Sequence, residues 1–419
     1  MEHEFKVYVG IDWATEDHQV CVIDGGRKVI AERVVKHSGA AITELADILA
    51  RLGDPATTAV SIETPRGAVV EMLMERGFAL FHLNPKQLDR FRDRHTVAGA
   101  KDDRRDAFVL ADSLRTDMHL FRRVRADEDD VVVLREWVRA DDDLAREENG
   151  LTNRLREQLL RYFPQALQLC PSADEAWFWS LLEAVPTPAA AARVTTTRVA
   201  AVLARHRIRR LGAETVVATL RQAPLRVSAG AVEAARVHIG MLLPRLRLVA
   251  DQRRGIERSV KALLAKMAAK EPPPGQESEH RDAAVLLSLP GVGWKVGATM
   301  LVEAGQALAE RDYAALRALS GVAPVTKQTG KNKKGRPEMR RAANNRLRNA
   351  NYHWARVAAQ TDARARAHYA ALRARGHTHG RALRSVADSN LRMLVAMLRD
   401  GTLYDPGHPR KELPRAPGQ

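Results

Sequence analysis

Apolar and polar positions alternate most clearly near the start of the chain. Residues 5–11, FKVYVGI, are rich in β-branched and aromatic side chains and lead into Asp12. HQVCVID at His18–Asp24 alternates well, Gly25-Gly26 follows, and Arg27–Val35 resumes the pattern. A Gly-Gly pair between two such runs predicts a hairpin whose central turn positions both take φ > 0. Three antiparallel strands therefore open the fold. Ile42, Leu45, Ile48 and Leu49 recur at helical spacing within Ala40–Leu52. TTAVSI at Thr57–Ile62 predicts a strand that ends at Glu63, and Pro65 and Gly67 interrupt the chain after it. Ala68–Arg76 reads as a helix, and Phe78–Leu83 as a fifth strand closed by Asn84-Pro85.

A basic segment, Lys86–Lys101, leads into GAKDDRRDAFVLADSL at Gly99–Leu114, which reads as a helix with acids at its start. The order β-β-β-α-β-α-β-α predicts an α/β, ribonuclease-H-like (RuvC-like) domain over residues 1–125. Sheets of this kind place functional side chains at strand ends. If the first and fourth strands are parallel neighbours, Asp12 and Glu63 stand side by side. Asp103 and Asp106 are i,i+3 neighbours on one helix face and can close a cluster of four acids. Clustered carboxylates repel unless a proton or cation intervenes. A solvated, Asp-rich helix start softened by Lys101, Arg104 and Arg105 is the plainer account.

From residue 126 the pattern becomes helical. Val131, Leu134, Val138, Leu144, Leu151, Leu155 and Leu159 recur at helical spacing as far as Phe163-Pro164, and Ala231–Lys270 repeats the pattern. Residues 126–270 are expected to form a long helical or coiled-coil arm, antiparallel, with short helices between its limbs. Trp177, Phe178 and Trp179 in that middle block read as core. EPPPGQESEH at 271–280 is a linker. A mainly α domain is expected over 281–402, and a loose proline-rich tail over 403–419.

Charge narrows the possible partners. The chain has 419 residues with 67 Lys and Arg against 51 acids, a net charge of +16. Such an excess points to a polyanion, most simply nucleic acid. Two cysteines, Cys21 and Cys170, make neither a metal cluster nor a disulfide framework and suit a reducing cytoplasm. No window is apolar enough for a membrane span.

Two C-terminal stretches carry chemistry. LLSLPGVGWKVGATML at Leu286–Leu301 predicts a helix-hairpin-helix, with Gly291 and Gly293 letting backbone N–H groups approach a phosphate. Between Thr326 and Arg348 stand Lys327, Lys331, Lys333, Lys334, Arg336, Arg340, Arg341, Arg346 and Arg348, opposed by Glu338. Gly330 and Gly335 suit a tightly bent basic loop. The hydroxyls of Thr326 and Thr329 lie in this field, where one could act as a phosphoryl-transfer nucleophile. The loop could equally grip phosphate without reacting. His377 and His379, in RGHTHGR, lack the company of a zinc site and read as surface or phosphate contacts.

Together these motifs resemble the DEDD insertion-sequence transposases of family one-hundred-ten, some of which are bridge-RNA-guided recombinases. The resemblance covers nearly the whole chain. It rests on GIDWA, IETPRG, the K-x-D-x-x-D-A run, LPGVG, LSGVAPVTKQTGK, NNRLRNANYHWARVA and the stretch from RARGHTHGR to GTLYDP. It implies that Asp12, Glu63, Asp103 and Asp106 bind divalent metal, Mg²⁺ or Mn²⁺, with Asp102 a helix neighbour. It implies donor and target DNA as substrates, a noncoding bridge RNA as guide, and a homodimer that assembles to a tetramer with a composite site. The family's nucleophilic serine corresponds here to Thr329, in Gln328-Thr329-Gly330-Lys331. Threonine keeps the hydroxyl, but its methyl stiffens χ1. Ser320 is a more distant substitute. The competing readings are a hydrolytic nuclease of Holliday-junction-resolvase type, which needs the acids but not Thr329, and an inactive nucleic-acid binder, which needs neither.

Overall fold

The computed structural model describes residues 5–83, 85–95, 102–125, 128–269, 279–329 and 332–407. The side chains of 85–86, 95, 279–280, 327–329 and 332–337 lie outside that description. The chain divides into two compact units, Met1–Glu128 and Asp129–Gln419.

The first unit is built on a mixed six-stranded sheet. Its strands are β1 (Val7–Asp12), β2 (Asp17–Asp24), β3 (Val29–Lys36), β4 (Thr58–Ile62), β5 (Ala79–His82) and β6 (Arg122–Arg123), in the order β3-β2-β1-β4-β5-β6. β2 pairs antiparallel with β1 and β3, whereas β1, β4 and β5 run parallel. α1 (Gly39–Leu52) and α2 (Ala68–Glu75) cover one face. Ile42, Leu45, Leu49, Val70 and Leu73 pack there on Val9, Ile11, Val22, Val60 and Ile62. α3 (Pro85–His95) and α4 (Asp103–Asp117) belong to the other face, where Ala107 and Ala111 meet Cys21 and Ile23. Ser38 caps α1 by accepting from Ala41 N.

Two local expectations are corrected. In the β2–β3 hairpin the residue with positive φ is Arg27, at 76°, and neither Gly25 nor Gly26 has one. Arg27 N donates to Asp24 O and Lys28 N to the Asp24 carboxylate, so the side chain of Asp24 helps hold the turn. The antiparallel edge strand β6 was not expected. It consists of two residues and pairs with Phe81 and His82 of β5.

Among the described residues, the second unit is helical apart from one hairpin. α5 (Asp129–Tyr162) is followed by α6 (Pro164–Leu169), α7 (Ala176–Ala184), α8 (Pro188–Arg193), α9 (Thr196–Arg205), α10 (Ala213–Leu220) and α11 (Ala229–Ala269). Then come α12 (Glu279–Ser288), α13 (Trp294–Ala309), α14 (Tyr313–Leu319), the antiparallel strands β7 (Pro324–Thr329) and β8 (Asn332–Met339), α15 (Asn345–Thr361), α16 (Ala363–Ala374) and α17 (His379–Asp400). α5 and α11 are antiparallel: Asp130 pairs with Lys266, Asp141 with Arg253 and Glu147 with Arg245. The two limbs share two cores. Leu151, Leu155 and Leu159 join Ile239, Leu242 and Leu246 beneath the short helices, with Trp177, Phe178 and Trp179 buried among them. Val131, Leu134 and Val138 join Val260, Leu264 and Met267 against α12–α17. The tail is anchored at its start, because Tyr404 donates its hydroxyl to Asp362 at 2.8 Å and its N–H to Ser288 Oγ at 3.0 Å. No described helix is long and apolar enough to cross a membrane.

Asp141, 1% exposed, ties the arm to α13. It accepts from Arg253 at 3.0 Å and from Lys295. Burial alone would push its carboxyl up, but the hydrogen bonds and charges of Lys295 and Arg253 outweigh burial and hold it below the usual carboxylate range. Asp141→Ala removes one of two carboxylate partners from each cation, since Arg253 keeps Glu148 and Lys295 keeps Asp142, and is expected to cost about 1–2 kcal/mol in denaturant unfolding. A depressed folded pKa stabilises above the unfolded value of about 3.9 and is lost as pH falls through the folded one. The parent should therefore lose more stability than the variant on acidification below about pH 4.

Candidate active site

The site in the first unit is assembled by the close approach of a helix to a strand. Gly10 and Asp12 lie two residues apart on β1 and so share a sheet face. A Cβ on Gly10 would lie 1.9 Å from Ala107 O and 2.6 Å from Ala111 N, so only glycine lets α4 pack this closely on β1. The contact draws the first turn of α4 towards the end of β1. One carboxylate oxygen from each of Asp12, Asp103 and Asp106 lies within 4.8 Å of the others. Glu63 is one residue beyond β4, whose Ile62 is in register with Ile11 of β1. Among the described residues, its carboxylate is not part of that group.

The three acids differ in their surroundings. Asp103 is exposed, whereas Asp106 is 2% exposed. Arg92 of α3 grips both Asp106 oxygens, Nε at 2.6 Å and an Nη at 2.7 Å, and also reaches Asp89. The Arg92 guanidinium is held even more firmly protonated than usual: burial works against this, and the bonds and charges of Asp106 and Asp89 prevail. Asp102 is the N-cap of α4 and accepts from Arg104 N at 3.2 Å. Behind Asp12, buried His18 accepts from Ala14 N at 3.3 Å through Nδ1, which leaves Nε2 to donate to His37 Nδ1 at 2.9 Å. Burial, then the neighbouring His37, push the His18 pKa down against the pull of Asp17. A neutral ring of fixed tautomer thus holds the loop that follows Asp12.

All-oxygen donors suit a hard divalent cation such as Mg²⁺ or Mn²⁺. The second acidic group, Cys170, Asp174 and Glu175, is occupied internally. Glu175 accepts from Trp177 Nε1 at 2.9 Å and from Arg210 at 2.5 Å, and Asp174 accepts from Ser172 at 2.5 Å. Burial, then the charge of Glu175, push the Cys170 thiol up, away from thiolate.

In the second unit the basic stretch forms a β-hairpin where a bent loop was expected. Thr329 is the last residue of β7 and pairs with Asn332, so Gly330-Lys331 is the two-residue connection. Gly330 and Lys331 lie outside the described residues, as do the side chains of Lys327, Thr329, Lys333, Lys334 and Arg336. Arg340 is half-buried and Arg341 exposed. Arg346 bonds Asp142 at 3.0 Å, and Arg348 donates to the carbonyls of Arg340 and Arg341 at 3.1 and 3.2 Å. These two cations thus have structural partners. Ser320 is buried, its hydroxyl donating to Leu316 O at 2.7 Å, which removes it as a substitute nucleophile.

The LPGVG turn joins α12 to α13, but its glycines differ. Gly291 has φ +83°, and a Cβ there would lie 2.7 Å from Ala358 N of α15. Its close approach is to the protein's own backbone, where phosphate had been expected. Trp354 fixes the turn by donating Nε1 to Pro290 O at 3.0 Å. Gly293, the exposed N-cap of α13, borders open space.

Comparison with known proteins decides the family. Residues 9–164 match a DEDD family model described as "Transposase", and residues 283–370 match the "Transposase IS116/IS110/IS902 family". The chain is 34% identical over 420 residues, 96% of each protein, to the "Mini-circle putative transposase for IS117" of Streptomyces coelicolor. The chain belongs to the IS116/IS110/IS902 transposase family. A shorter match, 49% over 216 residues, joins 51% of this transposase to 60% of "Putative transposase y4uE" of Sinorhizobium fredii. The "Insertion element IS110 uncharacterized 43.6 kDa protein" of S. coelicolor is 28% identical over 95% of both chains. As a member of this family the protein is a DNA transposase. Sequence reasoning missed two features of the transposase site. Gly10 reads as an ordinary strand residue, and Arg92 is one of several cations in a basic run.

Proposed function

We propose that this transposase cleaves and rejoins DNA in its ribonuclease-H-like first unit and at its C-terminal hairpin. Asp12, Asp103 and Asp106, with Glu63 from the neighbouring strand, are the residues to hold a divalent metal, Mg²⁺ or Mn²⁺. Such an ion would supply charge neutralisation at the scissile phosphate. The observation that carries this reading is the convergence of three carboxylates from β1 and α4 within 4.8 Å. Arg92 holds the buried Asp106 carboxylate in place through both of its oxygens.

The Thr329 hydroxyl is the proposed nucleophile. Its oxygen forms a bond to phosphorus, the P–O bond to the departing strand breaks, and the hydroxyl proton leaves as that strand's oxygen gains one. One phosphoester replaces another, so exchange needs no ATP. A noncoding RNA of the element, paired with donor and target, supplies sequence choice, while the protein reads shape and backbone.

The test reconstitutes exchange between element-end and target DNA with RNA transcribed from the element's flanks. Exchange should require both Mg²⁺ and that RNA. Undiminished exchange in EDTA would overturn the metal assignment, and equal exchange without RNA would overturn guidance.

A further inference from the structure

We propose that the block of short helices at 188–226 is a separate contact surface for duplex DNA, gripping its phosphate backbone. The inference rests on the reading of the chain as a DNA transposase. It concerns a segment outside both family matches, which cover 9–164 and 283–370.

The block contains eight arginines and a single acid, Glu214. All eight are exposed. Arg221 donates to the carbonyls of Ala191 and Val194, and Arg210 pairs with Glu175 over the Trp177 ring. The other six, Arg193, Arg198, Arg205, Arg207, Arg209 and Arg226, make no ion pair among the described residues. Many cations of the long limbs are matched, as in Arg146–Asp143, Arg236–Glu233 and Arg254–Asp251. Among the described residues, the block thus carries six exposed arginines without an ion pair against one acid.

Its layout suits a repeating anion. Arg198 and Arg205 are seven residues apart on α9, which returns them to one face about 10 Å apart. The helix ends in a turn where Arg207 N bonds Ala204 O and Ile208 N bonds Leu203 O. Arg207 itself has φ 56°, in the left-handed region that glycine normally fills at this position. An arginine thus occupies a glycine position and adds charge beside Arg205, Arg209 and Arg210. His206 in the same turn accepts or donates to Ser180 Oγ at 2.9 Å. Its pKa is pushed down by burial and then by the charges of Arg205 and Arg247. Thr195 caps α9, its hydroxyl accepting from Arg198 N at 3.3 Å, and Thr196 and Thr197 beside it are exposed. The block has no aromatic residue, so it offers no base-stacking platform for a single strand. The block suits contact with a phosphate backbone, and the duplex DNA on which a transposase acts is the partner proposed for it.

The experiment measures binding of the full chain to labelled duplex DNA of arbitrary sequence across a salt series. The triple variant Arg198→Ala, Arg205→Ala, Arg209→Ala should bind at least about tenfold more weakly at physiological salt. Its log–log salt slope should be shallower by about 0.9 for each phosphate that is no longer neutralised. Lysines at the same three positions should restore most of the affinity, because charge is what the backbone reads. Unchanged affinity and slope in the alanine variant would overturn the inference. So would a loss confined to duplex RNA, or to single strands, with duplex DNA binding intact. Arg236→Ala, whose guanidinium on the arm is already paired with Glu233, is tested in parallel and should bind duplex like the parent. If the parent binds no duplex the inference fails as well, while the cleavage assay with metal and RNA tests the proposed function separately.

Discussion

Asp103→Ala is expected to reduce DNA strand cleavage by on the order of 10⁴-fold and to leave the fold intact. Asp103 is exposed in the first turn of α4 and places a carboxylate oxygen within 4.8 Å of Asp12 and Asp106. With metal removed by EDTA, losing one of three crowded carboxylates relieves repulsion, so the melting temperature should hold or rise. Asp106→Ala should be equally inactive yet less stable, by about 2–4 kcal/mol, because it leaves Arg92 without its buried partner. Asp12→Ala and Glu63→Ala are expected to be inactive as well. Asp102→Ala removes a helix cap, costs about 1 kcal/mol and should cleave far better than Asp103→Ala. Gly10→Val is a probe of the same site that touches no carboxylate. It must push α4 off β1 at Ala107 and should lose cleavage and cooperative melting together. An active Asp103→Ala beside a dead Asp102→Ala would shift the register of the whole site by one residue.

What could be read in advance divides along physical lines. β1, α1, β4, α2, β5 and the two limbs of the arm carry their apolar periodicity locally, and each lies where its pattern placed it. Asp12 follows from a strand's end, and the pairing of Asp103 with Asp106 follows from helix geometry. The features that were missed depend on partners elsewhere. Arg92 is distinguished from its basic neighbours by α4, fourteen residues on. Gly10 and Gly291 serve helices that pass over them, and their partners, Ala107 and Ala358, are distant in sequence. β6 exists because β5 offers it an edge, and two arginines have no strand signal of their own. The hairpin of β7 and β8 is written in KQTGKNKKGR, whose lysines and glycines have little β-propensity. The cross-strand pairing of β7 with β8 wins over that propensity. Arg346 and Arg348 looked equivalent to the other cations of the stretch because sequence does not show that Asp142, or the carbonyls of Arg340 and Arg341, already engage them.

Incubation with cleavable DNA and Mg²⁺ should trap a covalent adduct, with the phosphate mapping to Thr329. The residue stands at the end of β7, before the Gly330-Lys331 connection, in the most cationic stretch of the chain. Thr329→Ala should lose both adduct and recombination while binding nucleic acid as before. The loss should be on the order of 10⁴-fold, because a missing nucleophile removes the covalent route entirely. Thr329→Ser is the more telling variant. Serine keeps the oxygen and removes the methyl that restricts χ1 and crowds the line of attack, so activity should hold or rise. Ser320 cannot rescue Thr329→Ala, because its hydroxyl is buried and committed to the Leu316 carbonyl. If Thr329→Ala cuts DNA at the parental rate and leaves free ends, water is the attacking group. The acidic cluster would then serve a hydrolytic nuclease, with the hairpin left to grip phosphate.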